Sequence, residues 1–353
     1  TGKGIDRING FQFLLRADEE FDVASKKCMF GTYRFAPYLE VLKMKGRGKA
    51  PRIIGIPTIR DRVVLCQLNR FLAQVFPECV PRNVAATYVR DISQELSLKC
   101  TDETWVCTTD IQTFYDSIQR SRLIALLSKR IKCTQALSMI EHALFTPTVP
   151  KNTHRKKYSE YKKKTGIPQG LAISNILASI YMQPVDDAMN CVGVSYWRYV
   201  DDVLMFGEQE KVQSAFKSLS GRLKRRGLGL HPLNKGKSLI VPISKQFGYL
   251  GYIFDGKRIT VRSSTIERFI QSIVAKFSDY IHNKVRRLEK FLYLNPKRLA
   301  EIFLMELNER ITGAIKENKR YGWIAYFNQI TDLSLLHHLD NTIEKLFSRL
   351  DDF

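Results

Sequence analysis

Two adjacent aspartates lie in the middle of an otherwise apolar hairpin sequence. Asp201 and Asp202 separate residues 196–200 from residues 203–206, two runs of strand-forming residue types. Neighbouring carboxylates repel each other and resist removal from water, a free-energy cost that solubility does not require. Aspartate also suits the backbone of a hairpin turn, which is the structural alternative. The aspartate pairs at 186–187 and 351–352 fit a helix face and the chain end, so only the 201–202 pair indicates a function.

A third carboxylate completes a candidate metal site. Asp110 ends residues 104–110, TWVCTTD, which read as a buried strand. Mg²⁺ prefers carboxylate oxygens together with water and substrate phosphates. Two such ions about 3.5–4 Å apart activate the attacking oxygen and stabilise the leaving one in phosphoryl transfer. We therefore expect Asp110, Asp201 and Asp202 to hold two Mg²⁺ ions, with Mn²⁺ as a substitute.

The charge of the chain indicates a polyanionic partner. Lys and Arg number 56 against 35 Asp and Glu, a formal net charge of +21, and the sequence pI is about 9.7. Such an excess repels itself in a compact state and is typical of proteins that bind nucleic acid or an anionic membrane. No run approaches the ~18 consecutive apolar residues of a membrane span, so we expect nucleic acid and no membrane. The basic run 154–164, with Tyr158 and Tyr161 among its lysines, predicts a nucleic-acid track, with a solvated loop as the alternative.

The seven cysteines are scattered along the chain and form no CxxC pair. That spacing fits neither a disulfide framework nor a zinc site. We expect small, buried, apolar cysteine side chains in a reducing compartment, and therefore a cytoplasmic protein.

Hydrophobic periodicity predicts a mixed α+β chain. Residues 42–57 read as strand, tight basic loop and strand, and residues 62–76 as a helix that Pro77 and Pro81 end. Further helices are expected at 120–131, 173–182 and 212–223, a hairpin at 196–206, and short strands at 247–253 and 259–261 around an Asp255-Gly256 turn. From residue 263 onward the pattern is helical and basic, with no strand.

Five short motifs follow one another along the chain. They are DIQTFYD at 110–116, GIPQG at 166–170, YVDD at 199–202, Lys-Ser at 237–238 and FGYLG at 247–251. In this order they resemble the successive palm motifs of reverse transcriptases. Upstream, RIIGIPTIRDR at 52–62 resembles the fingers motif of the bacterial group, which includes group II intron enzymes, retrons and defence-associated reverse transcriptases. Each motif alone is weak, whereas five in register identify the chain as a member of this family.

The resemblance implies a right-hand polymerase fold of the α+β class. Its fingers would span 1–98, its palm 99–262 with an inserted basic segment at about 132–165, and its helical thumb 263–353. The implied reaction is RNA-directed DNA synthesis by two-metal nucleotidyl transfer. Its partners would be an RNA template, a DNA primer or product, and deoxynucleoside triphosphates.

The resemblance also assigns roles to single residues. Asp110 and Asp201 would bind the metal pair with Asp202 in support, and Ile111 would lie at the metal and nucleotide site. Tyr115 would lie under the sugar and exclude a 2′-hydroxyl, with a core aromatic as the alternative. Gln169 and Gly170 would lie against the incoming nucleotide and the template base. Arg52, with Lys45 and Lys49, would bind the triphosphate. Lys237 would donate a proton to pyrophosphate, with Lys235 as the alternative residue for this role.

Departures from the family's patterns narrow the subfamily. Nothing in the sequence resembles the nuclease domain with paired cysteines that intron enzymes often carry, or an RNase H domain. Ser174-Asn175 stands where diversity-generating enzymes have Ser-Gln, and retrons usually replace the FGYLG element. By elimination the resemblance favours a stand-alone enzyme of antiviral defence that copies a structured non-coding RNA. Two alternatives to this function stay open: an RNA-binding maturase or scaffold with an idle site, and a template-free or RNA-copying polymerase. Among the partners, a second copy of the chain in a homo-oligomer also stays open.

Overall fold

The computed structural model describes residues 2–44, 48, 50–80, 84–234, 237–256, 258–316 and 319–350 of the 353-residue chain. The described part is a mixture of helices and largely antiparallel sheets, with one parallel pair between Tyr38–Lys43 and Thr148–Val149, which confirms the predicted α+β class. No helix in these ranges combines the length and the apolar composition needed to cross a bilayer.

Thirteen α-helices are described. Their bounds are α1 Gly10–Leu14, α2 Ala17–Met29, α3 Ile59–Val75, α4 Ala85–Lys99, α5 Phe114–Ser117, α6 Arg120–Arg130, α7 Thr134–Phe145, α8 Ser174–Met189, α9 Gln209–Arg225, α10 Ser263–Lys290, α11 Pro296–Thr312, α12 Trp323–Tyr326 and α13 Leu333–Phe347. Two short 3₁₀ helices cover Pro77–Cys79 and Arg155–Tyr161.

Twelve strands are described. Their bounds are β1 Tyr38–Lys43, β2 Arg52–Ile56, β3 Trp105–Asp110, β4 Thr148–Val149, β5 Ser195–Tyr199, β6 Asp202–Gly207, β7 Leu239–Pro242, β8 Phe247–Tyr249, β9 Tyr252–Asp255, β10 Arg258–Val261, β11 Ala314–Lys316 and β12 Lys319–Tyr321. They form sheets of order β5-β6-β3-β7, β2-β1-β4 and β10-β9-β8, and the hairpin β11-β12.

The chain divides into two compact units. Unit 1 comprises Thr1–Arg82, Thr109–Val203 and Gln213–Ser238, and unit 2 comprises Asn83–Thr108, Leu204–Val212 and Leu239–Phe353. The fingers, palm and thumb bounds inferred from the sequence stay predictions, since this division follows compactness alone.

The core of unit 1 forms where helices bury their apolar stripes against one another. α6 packs on α7 and α8, and α2 packs on α3 and α7. Leu123, Leu127, Ile140, Leu177 and Tyr181 are completely buried there. Burial of each such side chain stabilises the fold by about 1.5–3 kcal/mol, so the helices form a firm base for the loops that carry polar residues.

Unit 2 has an aromatic core beneath its longest helix. On α10, Phe269 stacks on Trp323 and Phe277 meets Phe303 edge to face. β3 and β7 pair antiparallel from Trp105↔Pro242 to Thr108↔Leu239. Because Asp110 follows directly on this pairing, the strand that carries it has a fixed register.

Several sequence-based boundaries needed correction. The run 247–253 is two strands, since Leu250 and Gly251 turn the chain with φ values of 51° and 85°. The hairpin β11-β12 lies in the region expected to be wholly helical. Main-chain hydrogen bonds can hold such a pair without the apolar alternation on which the prediction relied. α8 extends to Met189 through Pro184, well past the expected end at 182.

The cysteines are also less uniform than expected. All seven are free, in agreement with the absence of a disulfide framework. Only Cys79 and Cys107 are buried, whereas Cys66, Cys133 and Cys191 are exposed. The expectation of seven buried apolar side chains was therefore wrong, because scattered spacing carries no information on burial.

Candidate active site

The three aspartates singled out by the sequence lie together. β3 ends at Asp110, Asp201 lies in the turn between β5 and β6, and Asp202 begins β6. One carboxylate oxygen of each lies within 4.8 Å of those of the other two. The main-chain N–H of Ile111 donates to the carbonyl of Asp201 at 2.9 Å, so the end of β3 is tied directly to the turn.

The turn itself is strained and braced. Val200 has φ of 59°, in the left-handed region that a β-branched residue rarely adopts. The Arg198 guanidinium donates to the Val200 carbonyl at 2.8 Å, and Asp186 of α8 accepts from the same guanidinium at 2.8 and 2.5 Å. Strain of this kind persists only where surrounding contacts impose it, and the Asp186–Arg198 pair supplies such contacts.

The electrostatics of the cluster favour a bound cation. Burial raises the pKa of the Asp201 carboxyl, and the nearby charge of Asp110 raises it further. Both effects report carboxylates held out of water without enough positive charge. Three carboxylates at this separation are a donor set that fits a hard divalent ion. Ile111 is apolar and buried, so only its main-chain carbonyl could serve as a ligand.

Two basic side chains converge on the buried Asp110. The Lys237 ammonium lies 2.5 Å from Asp110 Oδ2, and His231 Nε2 lies 3.3 Å from the same oxygen. Ser238 fixes this segment, because its hydroxyl donates to the His231 carbonyl at 2.6 Å and meets the Thr109 hydroxyl at 2.6 Å. The predicted Lys237 is therefore at the aspartates, together with a histidine that the sequence reasoning missed.

A neighbouring cavity collects the residues predicted to bind the nucleotide. Arg52, Tyr115, Gln169 and Gly170 line a cavity of about 660 Å³. The Tyr115 hydroxyl donates to Asn175 Oδ1 at 2.7 Å. Burial, helped by the charge of Asp201, raises the pKa of Tyr115 to about 12, so the phenol stays protonated and the hydrogen bond is kept. Asn175 was not assigned to the site from the sequence.

A main-chain hydrogen bond joins strand β2 to the 166–170 loop at this cavity. The Gly55 N–H of β2 donates to the Gln169 carbonyl at 2.8 Å. Gly170 has φ of 104°, and a Cβ there would lie 2.7 Å from the Gly55 carbonyl oxygen. Glycine is therefore required at 170 both by its dihedral angle and by the close approach of β2.

The basic run predicted as a nucleic-acid track is anchored to the same loop. Arg120 is buried, and its guanidinium donates to the carbonyls of Gly166 at 2.7 Å and Lys163 at 2.5 Å. It also lies 4.8 Å from the centre of the Phe145 ring. Burial lowers the pKa of Arg120 to about 10. The end of the basic run is thereby held at the 166–170 loop, and residues 155–164 are exposed except for the half-buried Tyr158.

The structure thus brings the predicted residues that it describes together in two sets. Asp110, Asp201 and Asp202 form the carboxylate cluster, and Ile111 and Lys237 contact it. Arg52, Tyr115, Gln169 and Gly170 line the neighbouring cavity. Lys45, Lys49 and the rival Lys235 lie outside the described residues. For His231, the Gly-Leu-His-Pro sequence just before the lysines was the available signal. Asp186 belongs to an aspartate pair that was interpreted only as a helix face, and nothing local distinguished Asn175.

The sequence is similar to one protein family and to several known proteins. Residues 43–254 match the family described as reverse transcriptase (RNA-dependent DNA polymerase). Group II intron-encoded protein LtrA of Lactococcus lactis subsp. cremoris is 23% identical over 90% of this chain, which spans 54% of the length of LtrA. Protein YkfC of Escherichia coli is 22% identical over 72% of this chain and 76% of its own length.

A solved structure confirms the fold. Telomerase from Candida albicans, in complex with the TWJ fragment of telomeric RNA, aligns with a TM-score of 0.52 over 97% of this chain and 69% of that one. At 13% identity the likeness concerns the fold alone, and it is the right-hand polymerase fold that the motifs implied. Since the family match covers 43–254 of 353 residues, this chain belongs to the reverse transcriptase family.

Proposed function

We propose that this chain is an RNA-directed DNA polymerase that extends a primer along an RNA template. The observation that carries the proposal is the cluster of Asp110, Asp201 and Asp202, whose carboxylates lie within 4.8 Å of one another in a member of the reverse transcriptase family. A cluster of like charges destabilises the free protein, so a role that requires a cation explains it best.

Asp110 and Asp201 would hold two Mg²⁺ ions, with Asp202 and the main-chain carbonyl of Ile111 in support. Bound there, the ions would lower the pKa of the primer 3′-hydroxyl and neutralise the triphosphate that leaves as pyrophosphate. Lys237, whose ammonium lies 2.5 Å from Asp110 Oδ2, would be the proton donor to pyrophosphate. Arg52, exposed at the cavity, would bind the triphosphate.

Tyr115 would select deoxynucleotides. Its hydrogen bond to Asn175 fixes the ring at the wall of the cavity, where an aromatic side chain would occupy the space that a 2′-hydroxyl needs. Gln169 and Gly170 would lie against the incoming nucleotide and the template base, held by their contact with β2.

For the biological setting we propose antiviral defence in a bacterial cytoplasm, with a structured non-coding RNA as the partner. The support is two departures inside the matched region: Ser174-Asn175 in place of the Ser-Gln of diversity-generating enzymes, and the FGYLG element at 247–251, which retrons usually replace. Sequencing the nucleic acid that copurifies with the protein tests this, because it identifies both template and product. Copies of one host non-coding RNA would support the proposal, and a random mixture of host transcripts would contradict it.

Primer extension tests the activity itself. Wild-type protein with Mg²⁺, deoxynucleotides and an RNA template annealed to a DNA primer should extend the primer, and Asp201→Ala should lose extension while it keeps affinity for RNA. An inert wild type that still binds RNA would instead support the maturase or scaffold alternative. Extension without a template would support the template-free alternative.

A further inference from the structure

A pocket on unit 1 is lined by five cationic side chains. Arg122 and Lys129 reach it from α6, and Arg222, Arg225 and Arg226 from the end of α9. Its volume is about 410 Å³, within the roughly 300–1,000 Å³ of ligand-sized clefts. We call it the arginine pocket.

The arginine pocket is separate from the candidate active site. Its apolar floor includes Pro184 and Val185 of α8. Asn175, which holds Tyr115, lies nine residues earlier on the same helix, about 14 Å away at 1.5 Å per residue. No step of the proposed polymerase reaction uses the pocket, so its positive charge serves a different purpose.

The fold accounts for two of the five cations. Arg122 donates to the carbonyl of Arg225 and so satisfies a main-chain group at the C-terminus of α9. Arg226 donates to the Tyr181 carbonyl at 3.1 Å and lies 5.6 Å from the centre of the Tyr181 ring. Burial lowers the pKa of Arg226, and the charge of Arg122 lowers it further.

The remaining three cations have no comparable structural role. Arg225 and Lys129 are exposed, and Arg222 makes one long hydrogen bond, 3.3 Å, to Ser218. Among the described residues, none of the five cations forms an ion pair with a carboxylate. Like charges gathered at one cavity destabilise the free protein, so an anionic ligand is the economical reason for them.

The shape and chemistry of the pocket favour a nucleotide over a simple anion. Guanidinium groups bind phosphate through two parallel hydrogen bonds and stack on planar bases. The apolar floor between them suits a base, and unpaired bases are what proteins read in RNA. We propose that the arginine pocket binds an unpaired nucleotide of an RNA strand, as a second RNA contact outside the polymerase site.

Helix α9 offers a matched pair of variants. Arg222→Gln with Arg225→Gln removes two cations that line the pocket, and Lys217→Gln with Lys224→Gln removes two exposed cations from the same helix that do not. The probe is a labelled uridine homopolymer, and its affinity is measured against salt concentration with metal chelated. The pocket variant should bind the probe at least several-fold more weakly, and its slope of log affinity against log salt should fall by about 1.4, at roughly 0.7 per phosphate contact. The Lys217/Lys224 control should stay near wild type.

Charge-preserving variants and crosslinking separate binding at the pocket from a loss of folding. Arg222→Lys with Arg225→Lys keeps the charge and should keep the salt slope. Because both double variants replace the same two arginines, a loss confined to the glutamine variant would be due to the missing charge. Crosslinking of a photoreactive uridine probe should label peptides of α6 or the end of α9. Equal losses in both glutamine variants would overturn the proposal, and so would an unchanged affinity in the pocket variant. Two further results would overturn the proposal. In the first, poly-glutamate competes with the probe as well as unlabelled RNA of equal charge does. In the second, the pocket variant binds the RNA probe like wild type and loses only its binding of ATP.

Discussion

At the residue scale, the aspartate cluster sets function against stability. Burial and the charge of Asp110 raise the pKa of Asp201. A carboxyl whose pKa is higher in the folded than in the unfolded protein destabilises the fold as pH rises above the ordinary aspartate range of about 4. At neutral pH the metal-free protein is therefore less stable than it would be without the negative charge of Asp201. Bound cations would restore the lost free energy of unfolding.

Replacement of Asp201 by asparagine should show this conflict. With metal chelated, Asp201→Asn should be more stable than wild type by about 1 kcal/mol at neutral pH, and the advantage should shrink as pH falls toward about 4. Added Mg²⁺ should raise the melting temperature of wild type but hardly that of the variant. Thermal denaturation by circular dichroism measures both effects. A variant less stable than wild type in chelator would contradict the electrostatic account.

Two variants of Tyr115 distinguish a steric role of its ring from a role of its hydrogen bond. Tyr115→Gly should raise ribonucleotide incorporation relative to deoxynucleotide incorporation by about tenfold or more, since about 1.4 kcal/mol of steric discrimination is a factor of ten. Tyr115→Phe keeps the ring and loses only the bond to Asn175, so it should keep most of the discrimination. Single-nucleotide extension with matched pairs of substrates gives the ratio. If Tyr115→Gly leaves it unchanged, the ring does not exclude the 2′-hydroxyl.

At the element scale, the contact between β2 and the 166–170 loop depends on glycine. Gly170→Ala should destabilise the fold by about 1–3 kcal/mol, from the left-handed dihedral angle and the clash with Gly55 together. Gly193→Ala is the control, because Gly193 has a positive φ of 78° but no described atom within 4 Å of the position that a Cβ would take; its cost should be about 1 kcal/mol from the dihedral angle alone. Chemical denaturation gives both values. Equal costs would show that the close approach contributes nothing.

The start of α13 is held by a buried aspartate. Asp332 accepts from the main-chain N–H of Leu335 at 3.2 Å and the hydroxyls of Ser334 at 2.6 Å and Thr260 at 2.7 Å, and pairs with Arg258 of β10 at 2.7 Å. Burial would raise the pKa of Asp332, but these hydrogen bonds together hold it well below its ordinary value. Stabilisation of this kind is present above the unfolded pKa and is lost as pH falls below it.

Asp332→Asn should therefore cost stability at neutral pH, by about 1–3 kcal/mol, as for loss of a charged hydrogen-bond acceptor. The difference from wild type should shrink as the pH falls below about 4. Asp340→Asn, at an exposed position of the same helix, should change little at either pH. Melting temperatures across this range test the sign. A difference that grows in acid would contradict the assignment.

At the scale of the whole molecule, the formal net charge of +21 should govern RNA affinity. Neutralisation of phosphates releases counterions, and the log affinity for single strands falls by about 0.7 per contact for each tenfold rise in salt. The basic residues 154–164, the arginine pocket and the basic helix α10 offer several such contacts. Titration of RNA at increasing salt should give a steep negative slope, and nearly salt-independent binding would contradict a polyanion as the reason for the charge.

The sequence by itself determined the family of this protein, the three candidate metal-binding aspartates and most of the helices and strands. Adjacent carboxylates in an apolar hairpin, helical spacing at 120–131 and glycine in the 166–170 turn are local signals, because each depends on neighbours along the chain. The sequence did not reveal the hairpin β11-β12, or that residues 247–253 form two strands, because hydrophobic alternation is weak in both segments. Only the tertiary structure decided that Lys237 and His231 meet Asp110, that Asp186 braces the turn through Arg198, and that α6 and α9 share a cationic pocket. Lys237 is 127 residues from Asp110, and contacts across such separations follow from the packing of buried helices and strands, which no local pattern encodes.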